Sequence, residues 1–83
     1  MKLPRDVSGD ALAAVLCRRL GYVHVHQTGS HIILQSESPK HHRIAIPAHA
    51  SLRIGTLNAL LSSVAQAKGC DKAEVLGVVN KYL

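Results

Sequence analysis

Two short runs of alternating side chains, Tyr22-Val23-His24-Val25-His26-Gln27-Thr28 and His31-Ile32-Ile33-Leu34-Gln35-Ser36, are separated only by Gly29-Ser30. Their β-branched content and period-two pattern are those of strands. A two-residue loop with glycine first suits a type II′ turn, so the runs predict a β-hairpin. The loop length also sets a register: Thr28 opposite His31, His26 opposite Ile33, and His24 opposite Gln35. In that register Val23, Val25, Ile32 and Leu34 share one face, a sensible set to bury. His24, His26 and His31 share the other. A slip of one residue would force either the valines or the Ile32/Leu34 pair into water.

The segments on either side read as helices and one more strand. Ser8 is a good N-cap, with Asp10 in the first turn. Leu12, Val15, Leu16 and Leu20 recur at helical spacing, and Gly21 is a natural stop, giving a helix over about residues 8–20. Glu37-Ser38-Pro39-Lys40 reads as a turn, and His42-Arg43-Ile44-Ala45-Ile46 as a third strand ended by Pro47. With Ile44 and Ile46 directed to the core, Arg43 joins the open face and His41 its rim. After an irregular stretch from Ala48 to Ile54, Leu57, Leu60, Leu61 and Val64 form the stripe of a second helix ending at Gly69. Asp71 and Glu74 have capping-box spacing before a last helix carrying Val75, Leu76, Val79 and Leu83. An antiparallel sheet with helices on one face predicts an α+β two-layer sandwich whose other sheet face is free.

Length and composition limit the function. Eighty-three residues suffice for a single domain spanning 1–83, and with two Tyr, no Phe and no Trp the core must be aliphatic. A deep pocket for a large cofactor is not expected; a surface site is. Ten Lys plus Arg against five Asp plus Glu give a net charge of +5, which favours polyanionic partners. No apolar run approaches membrane-spanning length, and nothing at the amino terminus reads as a signal peptide. Cys17 and Cys70 form no Cys-x-x-Cys and are expected as free thiols in a reducing cytoplasm. Cys70 precedes a helix amino terminus, a place where a thiol pKa can fall.

The chemistry available on the open face is that of imidazoles and cations. Histidine, whose ordinary pKa lies near ~6.5, can both take and give a proton at neutral pH. Cleavage of a ribose-phosphate backbone needs a base for the 2′-hydroxyl, an acid for the leaving 5′-oxygen, and cations for the charged transition state. His24, His26 and His31 offer the first two, and Arg43 and Lys40 the third. Three other readings compete. Surface-strand histidines can be merely tolerated polar residues, and His24, His26 and His31 could together form a three-histidine metal site. A basic sheet could also bind structured RNA without cleaving it. His41 and His42 are adjacent, so their side chains diverge, and His49 after Pro47 reads as a hydrogen-bonding loop residue. No phosphate-binding glycine loop, Ser-His-Asp set or paired carboxylates are present.

Beyond these features, an ordered series of short motifs runs along nearly the whole chain. It comprises Lys2-Leu3-Pro4-Arg5-Asp6-Val7-Ser8-Gly9, Leu20-Gly21-Tyr22, Gln27-Thr28-Gly29-Ser30-His31, Ile46-Pro47-Ala48-His49 and Gly55-Thr56-Leu57. The series resembles the HicA (YcfA-like) family of toxins. The resemblance implies a double-stranded-RNA-binding-domain-like (dsRBD-like) fold and metal-independent cleavage of mRNA with no cofactor. It also implies a HicB-type antitoxin that covers the active surface. The histidine of the family's Gly-Ser-His motif is its catalytic residue and corresponds here to His31, with Gly29 and Ser30 as the supporting turn. His24, His26, Lys40 and Arg43 are candidates for RNA contact. A regulatory subunit that binds an antitoxin without cleaving RNA is the remaining alternative.

Overall fold

The computed structural model describes residues 3–83; Met1 and Lys2, where the first motif begins, lie outside them. The elements follow the order α1 (Gly9–Arg19), β1 (Val23–Thr28), β2 (His31–Ser36), β3 (His42–Pro47), α2 (Ile54–Lys68) and α3 (Lys72–Tyr82). The strands form one antiparallel sheet in the order β1-β2-β3, with α1 and α2 packed against β2 and β3. This is the expected α+β, dsRBD-like arrangement, with the opposite face of the sheet left open.

Local signals account for most of the boundaries. The Ser8 hydroxyl accepts from the Ala11 amide at 3.0 Å, capping α1, and Arg18 and Arg19 lie at its negative pole. Gly69 ends α2 in the left-handed conformation, and the following Cys70 amide donates to the Ala65 carbonyl at 3.1 Å. Asp71 is the N-cap of α3 as expected, yet its side chain caps nothing, so the capping box is not formed. The core is aliphatic: Leu12 and Leu16 from α1, Leu34 and Ile46 from the sheet, and Leu57, Leu61, Val64 and Val79 from the later helices are all fully enclosed.

The hairpin departs from its expected register. Thr28 pairs with His31 and His26 with Ile33, but His24 pairs with Leu34 and Val23 with Gln35, because Val25 is the extra residue of a β-bulge. Paired residues share a face, so His24 falls on Leu34's side of the sheet, away from His26 and His31. The valines are not buried either: Val23 is 66% and Val25 41% exposed. Two causes combine. The bulge breaks the alternation, and the helices cover β2 and β3 but leave every residue of β1 exposed. Tyr22, just before β1 and only 2% exposed, supplies the burial expected of the valines.

Candidate active site

His31 opens β2 on the uncovered face, and three local features fix its backbone. Gly29 has φ +57°, a conformation that disfavours any side chain, while no atom lies near enough to obstruct one; glycine is needed there for the turn itself. The Ser30 carbonyl accepts from the Ala48 amide at 2.6 Å, tying the turn to the segment after β3. That segment is in turn pinned to α1. The Gly9 amide donates to the His49 carbonyl at 2.9 Å, and a Cβ on Gly9 would run into the Pro47 carbonyl. The hairpin tip thus rests on a chain of backbone contacts reaching the amino terminus of α1.

Strand pairing groups the open-face residues into three rows. Thr28, His31 and Pro47 form the first, His26, Ile33 and Ala45 the second, and Val23, Gln35 and Arg43 the third. His26 therefore lies diagonally across from His31, within reach of a shared ligand. Both imidazoles are exposed, and neither makes a side-chain hydrogen bond among the described residues. His49 is exposed at the same end of the sheet, two residues beyond His31's partner Pro47. His24 is the one hairpin histidine that the bulge removes from this face. With it goes the three-histidine metal arrangement; among the described residues no three His, Cys, Asp or Glu side chains are grouped to hold an ion.

The expected cations lie at the other end. From His31 to Gln35, beside Arg43, is about 14 Å along β2 at roughly 3.4 Å per residue. Arg43 donates through Nε (3.2 Å) and Nη2 (2.9 Å) to the Gln35 amide oxygen. Gln35 Nε2 donates to Glu37 at 2.6 Å, and His41 Nδ1 lies 3.1 Å from both Glu37 oxygens. The hydrogen bonds from His41 and Gln35 hold the Glu37 carboxyl below its ordinary range. Lys40 is exposed in the β2–β3 loop beside this chain. Arg43 and Lys40 are thus on or near the open face but not against His31.

The remaining histidine, His42, is a structural residue that the sequence reading left unassigned. Tyr22 places its hydroxyl 2.6 Å from His42 Nδ1, and Ser63 Oγ lies 3.1 Å from Nε2. A neutral ring with its proton on Nε2 satisfies both. Burial, followed by Lys68, Lys40 and His41, pushes the His42 pKa down, while burial raises that of Tyr22 to about 12. Next to this pair, Lys68 Nζ donates to Ser36 Oγ and the Ser38 carbonyl, both at 2.6 Å. The cysteines are both free. The expectation of a lowered Cys70 pKa fails: burial raises it, and Glu74 and Asp71 beside it add to the rise.

The fold and its face together define the class: a dsRBD-like α+β domain with an open sheet that carries exposed imidazoles. A family model described as the HicA toxin of bacterial toxin–antitoxin systems matches residues 9–68. The chain belongs to the HicA toxin family, and a toxin–antitoxin partnership follows from that membership. No curated protein and no solved structure matches it. No helix among the described residues is long and apolar enough to cross a membrane.

Proposed function

We propose that this toxin is a metal-independent endoribonuclease that cleaves mRNA in the cytoplasm, with the whole chain acting as one catalytic domain and His31 as its catalytic residue. The observation that carries the reading is His31 itself: an exposed, unengaged imidazole held by a glycine turn on a sheet face that no helix covers. In the reaction one imidazole takes the 2′-hydroxyl proton as the 2′-oxygen attacks phosphorus. An imidazolium then gives a proton to the departing 5′-oxygen, leaving a 2′,3′-cyclic phosphate and a free 5′-hydroxyl. Of the candidate partners on the open face, His26 is the one that strand pairing supports for the second role, since His24 faces elsewhere. Arg43 and Lys40 would hold phosphates of flanking nucleotides rather than the scissile one.

Nothing in this proton chemistry calls for a metal, so EDTA should leave the rate unchanged. Incubating wild type and His31→Ala with a defined RNA in EDTA, followed by end-group analysis, tests the assignment. His31→Ala should lower cleavage by roughly 10²–10⁴-fold, the span typical of a lost acid or base. Intact RNA under the wild type, with only a salt-sensitive gel shift, would replace nuclease with binding module. The partner is a HicB-type antitoxin that presents Asp or Glu to this basic chain. Its association should therefore slow as salt rises, and a salt-independent on-rate would point to an apolar contact instead.

A further inference from the structure

The bulge in β1 creates a feature that the catalytic reading leaves unused. Val23 and Val25 are turned out beside Gln35, and with Glu37 and Ser38 they line a cleft of about 460 Å³. That volume is of the size that small ligands occupy, ~300–1,000 Å³. Its lining is mostly apolar, with Gln35, Ser36, Glu37 and Ser38 as its polar residues. The cleft includes Val23 and Gln35 of the sheet row that ends in Arg43, with Arg43 outside its lining, and Gln35 is about 14 Å from His31 by strand rise. Two exposed β-branched side chains on the face of a chain of net charge +5 form a patch that water covers at a cost.

We infer that the Val23–Val25 cleft is a nucleobase subsite for a nucleotide flanking the cleaved bond, selective for a base that presents N–H donors, guanine foremost. The inference rests on the ribonuclease reading and deepens it. The valines offer an apolar floor to the flat face of a base. Glu37, in the same lining, is an acceptor: His41 and Gln35 occupy some of its lone pairs, and an ionised carboxylate has about four. Guanine's N1–H and 2-amino group are parallel donors that match two carboxylate oxygens, whereas uracil has a single imino donor and lacks the amino group. Arg43, held across the row by the neutral Gln35 amide, is placed for the phosphate of the same nucleotide. An acidic antitoxin surface of Asp and Glu would meet Glu37 as a like charge with no donor to offer it, whereas guanine's N–H donors offset the repulsion that its phosphate also meets.

Binding of short RNAs to the full-length His31→Ala protein tests this apart from catalysis. The panel varies one position at a time through the four bases. At one position guanine should bind roughly tenfold better than uracil, the scale of discrimination by one good base contact. Glu37→Gln should shrink that ratio toward unity. Removing a negative charge raises affinity for every RNA, but the ratio between bases cancels this. Val23→Ser with Val25→Ser should weaken binding at the same position several-fold without lowering the unfolding midpoint, since both side chains are exposed. No base preference at any position, or a ratio untouched by Glu37→Gln, overturns the inference. So does a serine pair that weakens only antitoxin binding. Wild type that binds with this preference yet cleaves nothing would defeat the nuclease reading alone.

Discussion

The two halves of the β1–β2 hairpin have nearly the same alternating sequence and opposite fates. Near the turn, pairing follows the two-residue loop and sets His26 and His31 on one face. Beyond Val25 the same valine–histidine alternation is reversed, so that His24 joins Leu34's face and Val23 faces out beside Gln35. A turn thus dictates register only as far as the first bulge. One inserted residue converts a uniform histidine face into two unlike regions, an end carrying exposed imidazoles and a mostly apolar cleft.

A second contrast sets His31 against His42, and it gives the largest expected effects. His31→Ala should lower cleavage and leave stability unchanged, because the ring is exposed and, among the described residues, unpartnered. His42→Ala should do the reverse. It strips the Tyr22 hydroxyl of its partner inside a residue only 2% exposed, at a cost of about 1–3 kcal/mol. Denaturant titration paired with RNA cleavage reads both. Equal stability losses in the two variants would erase the distinction.

The same histidine gives the fold a pH dependence of definite sign. Its folded-state pKa lies below the ordinary value of 6.5, from burial first and then from Lys68, Lys40 and His41. The unfolded chain therefore takes up the proton more readily than the folded one. This stabilisation is complete above about pH 6.5 and is lost as pH falls through the folded-state value. Unfolding midpoints should drop on that acid limb in wild type and flatten in His42→Gln. A wild-type profile rising toward acid would show that the ring is charged in the fold.

Gly29 sharpens the comparison at the turn. Its φ of +57° suggests that Gly29→Ala costs about 1–2 kcal/mol through backbone strain alone, since nothing obstructs the new methyl group. If the turn also aims His31, cleavage should fall by more than the loss of folded protein explains. A purely proportional loss would leave Gly29 with a structural role only.

What could be read from the residues, and what could not, divides along the same line. Ser8, Gly29-Ser30 and Gly69 are local signals, and each structure they predict is present. The aliphatic stripes of the helices, Leu12 with Leu16 and Leu57 with Leu61 and Val64, are likewise buried. The bulge has no such mark: no glycine or proline stands between Tyr22 and Thr28, and alternation reads alike on either side of an insertion. Nor does β1 reveal that the helices will stop short of it. His42 was opaque because its partners, Tyr22 and Ser63, are distant in sequence. Asp71 marked the start of α3 correctly, but spacing alone could not show that its carboxylate would make no bond.

The smallest expected effect is the most direct test of the bulge. Deleting Val25 leaves every Cα pair of the hairpin available, from Val23 with Gln35 to Thr28 with His31, because Val25 has no partner to lose. Its side chain is 41% exposed, so little packing goes with it, and stability should change by less than about 1 kcal/mol. His31 would keep its turn, while the cleft would lose half its apolar floor and RNA binding at the flanking base should weaken. Deleting Gln27 instead lets the strand absorb the bulge by pairing His26 with Ile32 and Val25 with Ile33, so His26 leaves His31's face while His24 and Val23 keep their present partners. If the Val25 deletion unfolded the protein and the Gln27 deletion did not, the extra residue would have to be sought elsewhere in the strand.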